Sequence, residues 1–389
     1  MLILVGLVAF NVWWFVRQQR PVPGLETAQR ALNRGDYRTA ETLLRERLRT
    51  RPRDATAIVA LARARAGQND LLGCAKILLR VPEWSSQRPE ALYRAGQSFY
   101  KVNRARDAEA VWLDLIHEDP LHPVPTALFT DACMELLKLY ATEDRWQDAY
   151  PVIWAAYDRT SGTEQAGWLL SRMRPELERI AHSEAITYLE RFVAADPADL
   201  EARRALAKAK LAMGRRPEAE AQFLECRARW PDDVRVWRDL LAMILEQGDL
   251  ERFVELLDRP PQAADLEPET WFFRGTVAEK NGDWAQARDD FQKAIDLHPF
   301  MPKYYYRLAA VLDRLGDRTR AAAHRKRTQQ MNDARSQLPG AYNGFLSAQE
   351  SATAKSADRA AAARRLGSIC EILGWARAAQ AWNRLAIAL

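Results

Sequence analysis

Apolar and small residues recur along this chain with a fixed period instead of filling one contiguous core. Counted in blocks of 34 from Ala166, Leu200, Val234, Pro268 and Pro302, the pattern holds phase without insertion. The fifteenth place of each block holds Ile180, Gly214, Gly248, Gly282 and Gly316, and the twentieth holds Ala185, Ala219, Phe253, Ala287 and Ala321. Pro197, Pro231 and Pro299 fill the thirty-second place of the first, second and fourth blocks. Three earlier blocks begin at Pro21, Ala55 and Pro89 with the same spacing. A period of this length predicts a repeat array.

Within a block the pattern predicts two helices and a turn. Apolar residues near places 4, 7 and 11 form one helical face, with Trp237, Trp271 and Tyr305 at place 4. Small residues at places 8 and 20, such as Gly275 and Ala287, let the two helices approach closely. Aromatic rings at place 24, Phe223 and Phe291, fill the space beyond. Gly or Asn at place 15, often followed by Asp, ends the first helix in the left-handed conformation, as in Gly35-Asp36, Asn69-Asp70, Gly248-Asp249 and Gly282-Asp283. Pro at place 32 stops the second helix.

These residues resemble the tetratricopeptide repeat. Trp271, Gly275, Ala278, Ala287, Phe291, Ala294 and Pro299 carry the likeness in one block, with Arg274 and Ala278 standing where the family usually has Leu and Tyr. Leu206, Ala207, Gly214, Ala219, Phe223 and Pro231 carry it in another. The resemblance implies an all-α, right-handed α-solenoid of about ten helix pairs, preceded by a hydrophobic N-terminal helix.

The phase slips twice. A unit at 123–165 stands seven residues late, and Pro175 is expected to kink or divide the helix that follows. After Asp333, the run Pro339, Gly340 and Asn343-Gly344 reads as a turn-rich insert over 336–355. The expected organisation is therefore an anchor at 1–20, three repeats at 21–122, an irregular pair at 123–165, five repeats at 166–335, the insert, and a final pair at 356–389. What is specific to this protein is expected in the groove side chains and at these two breaks.

Residues 1–16, MLILVGLVAFNVWWFV, are apolar except for Asn11 and are followed by Arg17 and Arg20. As a helix they span roughly 24 Å, short of the ~20 residues a bilayer usually needs. Trp13 and Trp14 suit an interface. The expectation is a single-pass anchor in a bacterial inner membrane, with the side of the array open. Net charge is +5, with 57 basic against 52 acidic residues, too weak over this length to call for a polyanion.

Candidate chemistry is sparse. Cys74, Cys133, Cys226 and Cys370 lie far apart on places the repeat uses for packing, so each reads as a small core residue. His117 and His122 match no zinc spacing. Phosphate loops, nucleophile elbows and HExxH are absent from the sequence. No catalytic residue, metal, cofactor or small-molecule substrate is expected.

In the family, places 2, 5, 9, 12 and 13 of the first helix line a concave groove. The resemblance therefore points to Tyr93, Gln97, Tyr100 and Lys101; to Arg204 and Lys208; to Phe272, Thr276 and Glu279; and to Tyr306 and Asp313. Such a lining suits an extended peptide or a helix from a protein partner. The clamp by which some relatives hold a C-terminal carboxylate is missing, since the first blocks place Leu25, Gln29, Ala60, Glu90 and Arg94 there. The resulting expectation is a membrane-anchored interaction scaffold. The alternatives are a helical-repeat RNA binder, disfavoured by the 34-residue period, and an accessory subunit of a cell-envelope enzyme.

Overall fold

The computed structural model describes residues 24–117, 123–177, 180–351 and 355–389. Apart from turns and one short 3-10 turn at Ala264–Leu266, their regular structure is α-helical. The chain forms two compact units, Met1–Leu139 and Tyr140–Leu389. The first holds α1 (Leu25–Asn33), α2 (Tyr37–Thr50), α3 (Ala55–Gly67), α4 (Leu71–Leu78), α5 (Arg88–Lys101) and α6 (Ala105–Ile116). Helix α7 (Thr126–Thr142) carries the chain across the boundary. The second unit continues with α8 (Trp146–Arg159), α9 (Gly162–Leu177), α10 (His182–Ala195), α11 (Leu200–Ala212), α12 (Arg216–Arg229), α13 (Val234–Gln247) and α14 (Leu250–Leu257). It ends with α15 (Pro268–Lys280), α16 (Trp284–Leu297), α17 (Pro302–Arg314), α18 (Arg318–Glu350), α19 (Ser356–Ile372) and α20 (Ala376–Ala388).

The turn at place 15 works as the spacing predicts. Gly35, Gly214, Gly248, Gly282 and Gly316 all take positive φ, between 75° and 84°, and Asn69 and Asn103 do the same at 64° and 61°. The Asp that follows has a role the sequence reading did not give it. Its carboxylate caps the second helix: Asp36 accepts from the Thr39 amide, Asp70 from Gly73, Asp249 from Arg252, Asp283 from Gln286 and Asp317 from Arg320. Each cap satisfies an amide that has no partner inside its helix. The turn residue and the cap sit side by side, so two residues fix both helix ends.

Close packing at place 8 is equally plain. A Cβ added to Gly275 would lie 2.8 Å from the Phe291 ring, and one on Gly96 would lie 2.2 Å from the Trp112 indole. Places 8 and 24 therefore form a small-large pair across the two helices.

Three expectations are corrected. Residues 336–350 are not a loop, because α18 runs unbroken for 33 residues through Pro339. Met331, Ala334, Leu338, Ala341, Tyr342 and Phe345 are buried along one helical face, and Phe345 meets Trp382 edge-on at 4.8 Å. Burial of six apolar side chains outweighs the roughly 1 kcal/mol that each helical glycine gives up. Helix α9 runs two residues past Pro175, so of the kink or division expected there the division does not occur. The third correction is the single-pass anchor. No helix among the described residues is long and apolar enough to cross a membrane; α18 has the length, but its sequence is strongly polar. Residues 1–20, on which that expectation and the hydrophobic first helix rested, lie outside the described residues.

Repeat arrays ordinarily place each unit against its sequence neighbours. The second unit departs from this, because α9 also contacts α18 and α20. The Arg172 guanidinium lies between the Tyr150 ring, 3.7 Å from its centroid, and the Trp375 ring at 4.3 Å. Arg377 reaches Asp158 at 2.6 Å and lies 4.5 Å from the Trp154 ring centroid. The last helix pair is thus clasped to α8 and α9, more than 200 residues away in sequence.

Candidate functional site

The side chains expected in the groove divide into three groups. In the first unit, Tyr93, Gln97 and Tyr100 on α5 are half-buried and Lys101 is exposed. Tyr100 lies tilted 5.9 Å from Trp112, and the Tyr93 carbonyl accepts from the Trp112 indole at 3.4 Å. Burial, then the carboxylates of Glu135, Asp131 and Glu90, raise the Tyr93 phenol above its ordinary value.

The second group is absorbed by the fold. Arg204, 7% exposed, binds Asp239 at 2.7 Å, and Lys208 pairs with Asp144. Thr276 is buried and donates to the Phe272 carbonyl at 2.8 Å. Glu279 pairs with Arg307 at 2.7 Å. The Phe272 ring lies 5.4–6.2 Å from those of Phe273, Phe291 and Tyr304, joining two successive helix pairs. These residues hold neighbouring repeats together.

The third group faces solvent. Tyr306 is 63% exposed, and Asp313 is exposed beside Arg325. Lys280 and Arg314, at the ends of α15 and α17, are exposed as well.

The absorbed charges belong to a ladder across the first helices of successive repeats. Arg145 contacts Glu143 at 2.9 Å, Asp148 at 2.7 Å and Glu201 at 3.7 Å. Glu201 binds Arg235 at 2.7 Å, Arg235 binds Asp233 at 2.9 Å, and Arg238 binds Glu267 at 2.9 Å. Lys303 lies 3.7 Å from Glu269. Burial alone would lower the Arg145, Arg235 and Arg238 guanidiniums, but the surrounding carboxylates overcome it and hold all three above the ordinary value. A signal for this was present in the sequence. Place 2 of four successive blocks reads Glu201, Arg235, Glu269 and Lys303, alternating in sign.

Two cavities of the second unit lie where the repeat phase breaks. One, between the α7–α8 turn, α10 and α11, is walled by Ala141, Trp146, Ala185, Ala205 and Ala209, with Lys208 and Asp144 at its polar side. Asp144 occupies place 15 of its unit with φ of 53°. The other, between α17 and α18, is lined by Met301, Pro302, Lys303, Tyr306, Thr328, Asn332 and Arg335. Of this lining only Tyr306 is among the residues expected in the groove; the α18 side lies next to the stretch expected to be a turn-rich insert.

The four cysteines are buried. Desolvation pushes the Cys133 and Cys370 thiols up to about 12 and Cys226 to about 11, and it raises Cys74. A thiol so placed carries almost no thiolate at neutral pH and is a poor nucleophile. Among the described residues, no group of three or more His, Cys, Asp and Glu is arranged to hold a metal ion.

Comparison with known proteins bears on the repeats. A tetratricopeptide-repeat family model matches residues 177–244, and a second matches residues 268–300. Tetratricopeptide repeats are therefore present in both stretches. No curated protein matches the chain. Among solved structures it is similar to MamA from Desulfovibrio magneticus RS-1, at 20% identity over 44% of this chain and 96% of that one, with a TM-score of 0.34. It is similar to MamA of AMB-1 at 23% identity over 39% and 90% of the two chains, with a TM-score of 0.33. It is also similar to the Cut9–Hcn1 hetero-tetramer of APC/C, at 14% identity over 93% and 79%, with a TM-score of 0.31.

Proposed function

We propose that this protein is a non-catalytic scaffold that binds other proteins along the first helices of its repeats. The observation that carries the reading is the pair of tetratricopeptide matches at 177–244 and 268–300, because repeats of this kind serve generally in protein interaction. The geometry supports it further. Thiols are buried and the charges of the ladder are neutralised in pairs, while Tyr306, Lys280, Asp313 and Arg314 stay open to solvent. Such a surface suits an extended segment or a helix from a partner. Arginines committed to carboxylates are poorly placed to neutralise phosphates, which weighs against the RNA reading.

The test is affinity capture from the source cell with the full chain and with a Tyr306→Ala/Lys280→Ala variant. Both positions are exposed, so the variant keeps its fold. The reading expects a defined set of proteins that the variant recovers at least about tenfold less well. One enzyme recovered stoichiometrically would mark an accessory subunit, and equal recovery by both chains would sink the assignment of the surface.

A further inference from the structure

The notch between α17 and α18 exists because α18 does not stop. In four other blocks the second helix ends at or before place 30, and place 34 carries an acidic residue, Asp54, Asp199, Asp233 and Glu267, while the remaining three blocks carry Arg88, His122 and Met301 there. Asp54, Asp199 and Asp233 cap the next helix with their side chains, and Glu267 pairs with Arg238. In the last regular block the same place is Arg335, carried on a helix that continues for fifteen residues more, to Glu350. Sign and backbone both differ here from those four acidic blocks; Arg88, the other arginine at place 34, is instead held by the Leu79 and Val81 carbonyls.

Around Arg335 the lining is cationic and polar. Thr328, Asn332 and Arg335 lie at i, i+4 and i+7 on one face of α18, opposite Lys303 and Tyr306 at i and i+3 on α17. No carboxylate lines the notch. Outside the lining, Glu269 lies 3.7 Å from the Lys303 ammonium. The Arg335 Nε is buried without a hydrogen-bond partner, whereas Arg204, Arg235 and Arg238 on the first helices are each paired with a carboxylate; the Arg307 Nε is likewise unpartnered, although its other nitrogen meets Glu279 at 2.7 Å. A buried guanidinium N–H left unsatisfied is unfavourable. A carboxylate is the complement that satisfies it, since it accepts charge-assisted and often bidentate bonds from arginine.

We propose that this notch receives a carboxylate of the bound partner, so that the segment recognised at the C-terminal end of the repeats is acidic. The inference rests on the scaffold reading and supplies the chemistry of its partner. Arg335 provides the charge, with Lys303 beside it already paired to Glu269, the Asn332 amide is a further donor, and the exposed Tyr306 ring covers the aliphatic stem of the incoming residue.

The experiment uses the full chain and three fluorescent hexapeptides: glutamate with an amidated end, glutamine with a free end, and glutamine with an amidated end. The first offers side-chain carboxylates, the second only the chain terminus, and the third none. At least one acid-bearing peptide is expected to bind about tenfold or more tightly than the uncharged one. Arg335→Gln is expected to remove that preference, while Arg320→Gln, an exposed arginine earlier on α18, leaves it unchanged. Circular dichroism checks the fold, and Lys303→Gln gives a second reading with less risk to packing. Equal binding of all three peptides, no binding of either acid, or equal losses in Arg335→Gln and Arg320→Gln would overturn the proposal. A protein partner captured equally by wild type and Arg335→Gln would also overturn it while leaving the scaffold intact.

Discussion

The clasp between Arg172 and Trp375 makes a quantitative prediction. Arg172 is 7% exposed, and no carboxylate among the described residues forms an ion pair with it. Burial accordingly pulls its guanidinium below the ordinary value. Its charge is held instead by two aromatic faces, Tyr150 and Trp375. A desolvated contact of this kind contributes about 2 kcal/mol, against a desolvation penalty of several kcal/mol for the ion. Trp375→Leu should therefore cost about 2 kcal/mol in the opening of the terminal pair, beyond lost packing area. Arg172→Met should cost little, because removing an unpaired buried charge offsets the lost ring contacts. In the Arg172→Met background the Trp375→Leu penalty should shrink by about 2 kcal/mol. The assay is native-state hydrogen exchange of α9 and α20 amides, which reads local opening directly. Effects that add within about 0.3 kcal/mol would refute a coupled pair. So would faster exchange spread evenly through α11–α13. Arg377 and Asp158 are both exposed, so their ion pair should contribute under about 1 kcal/mol and fade with salt.

Other predictions test the repeat itself. Gly275→Val should destabilise by about 1–3 kcal/mol through overpacking against Phe291, whereas Gly340→Ala and Gly344→Ala, whose Cβ atoms meet nothing within 4 Å, should each stabilise α18 by about 0.5–1 kcal/mol; urea midpoints check both. The carboxyls of Asp54 and Asp233 resist burial through their capped amides and the Arg47 and Arg235 partners, and lie below the ordinary carboxylate value. Their contribution to stability is present above the unfolded carboxylate value and is lost as pH falls through the lower folded one, so Asp233→Ala should destabilise at pH 7 and approach wild type as the medium is acidified below that folded value. Iodoacetamide should leave all four buried cysteines unmodified in the native protein and label all four in denaturant, by intact mass.

Much of the repeat was legible because its determinants are local. A positive φ at Gly248 or Gly282 and the contact of Gly275 with Phe291 each follow from residues fixed in spacing. The capping by Asp249 and Asp283 was equally local but was read as part of the turn alone. Helix α18 was hidden by Pro339, Gly340 and Asn343-Gly344, whose local preference is overridden by Leu338, Tyr342 and Phe345 packing on the terminal pair. The clasp of Arg377 on Asp158 joins positions too far apart for any periodic argument. Among the residues expected in the groove, Tyr306 is exposed while Arg204 and Thr276 are buried. Arg204 is buried because the next repeat presents Asp239 to it, and Thr276 because its hydroxyl turns back onto the Phe272 carbonyl of its own helix.

The central claim is that partners bind along the first helices. Hydrogen exchange with a captured partner bound tests it most directly. The account predicts slowed exchange in α15, α17 and the α18 segment around Arg335, with α12, α14 and α16 unchanged. Protection confined to the second helices, or none anywhere in the second unit, would contradict it.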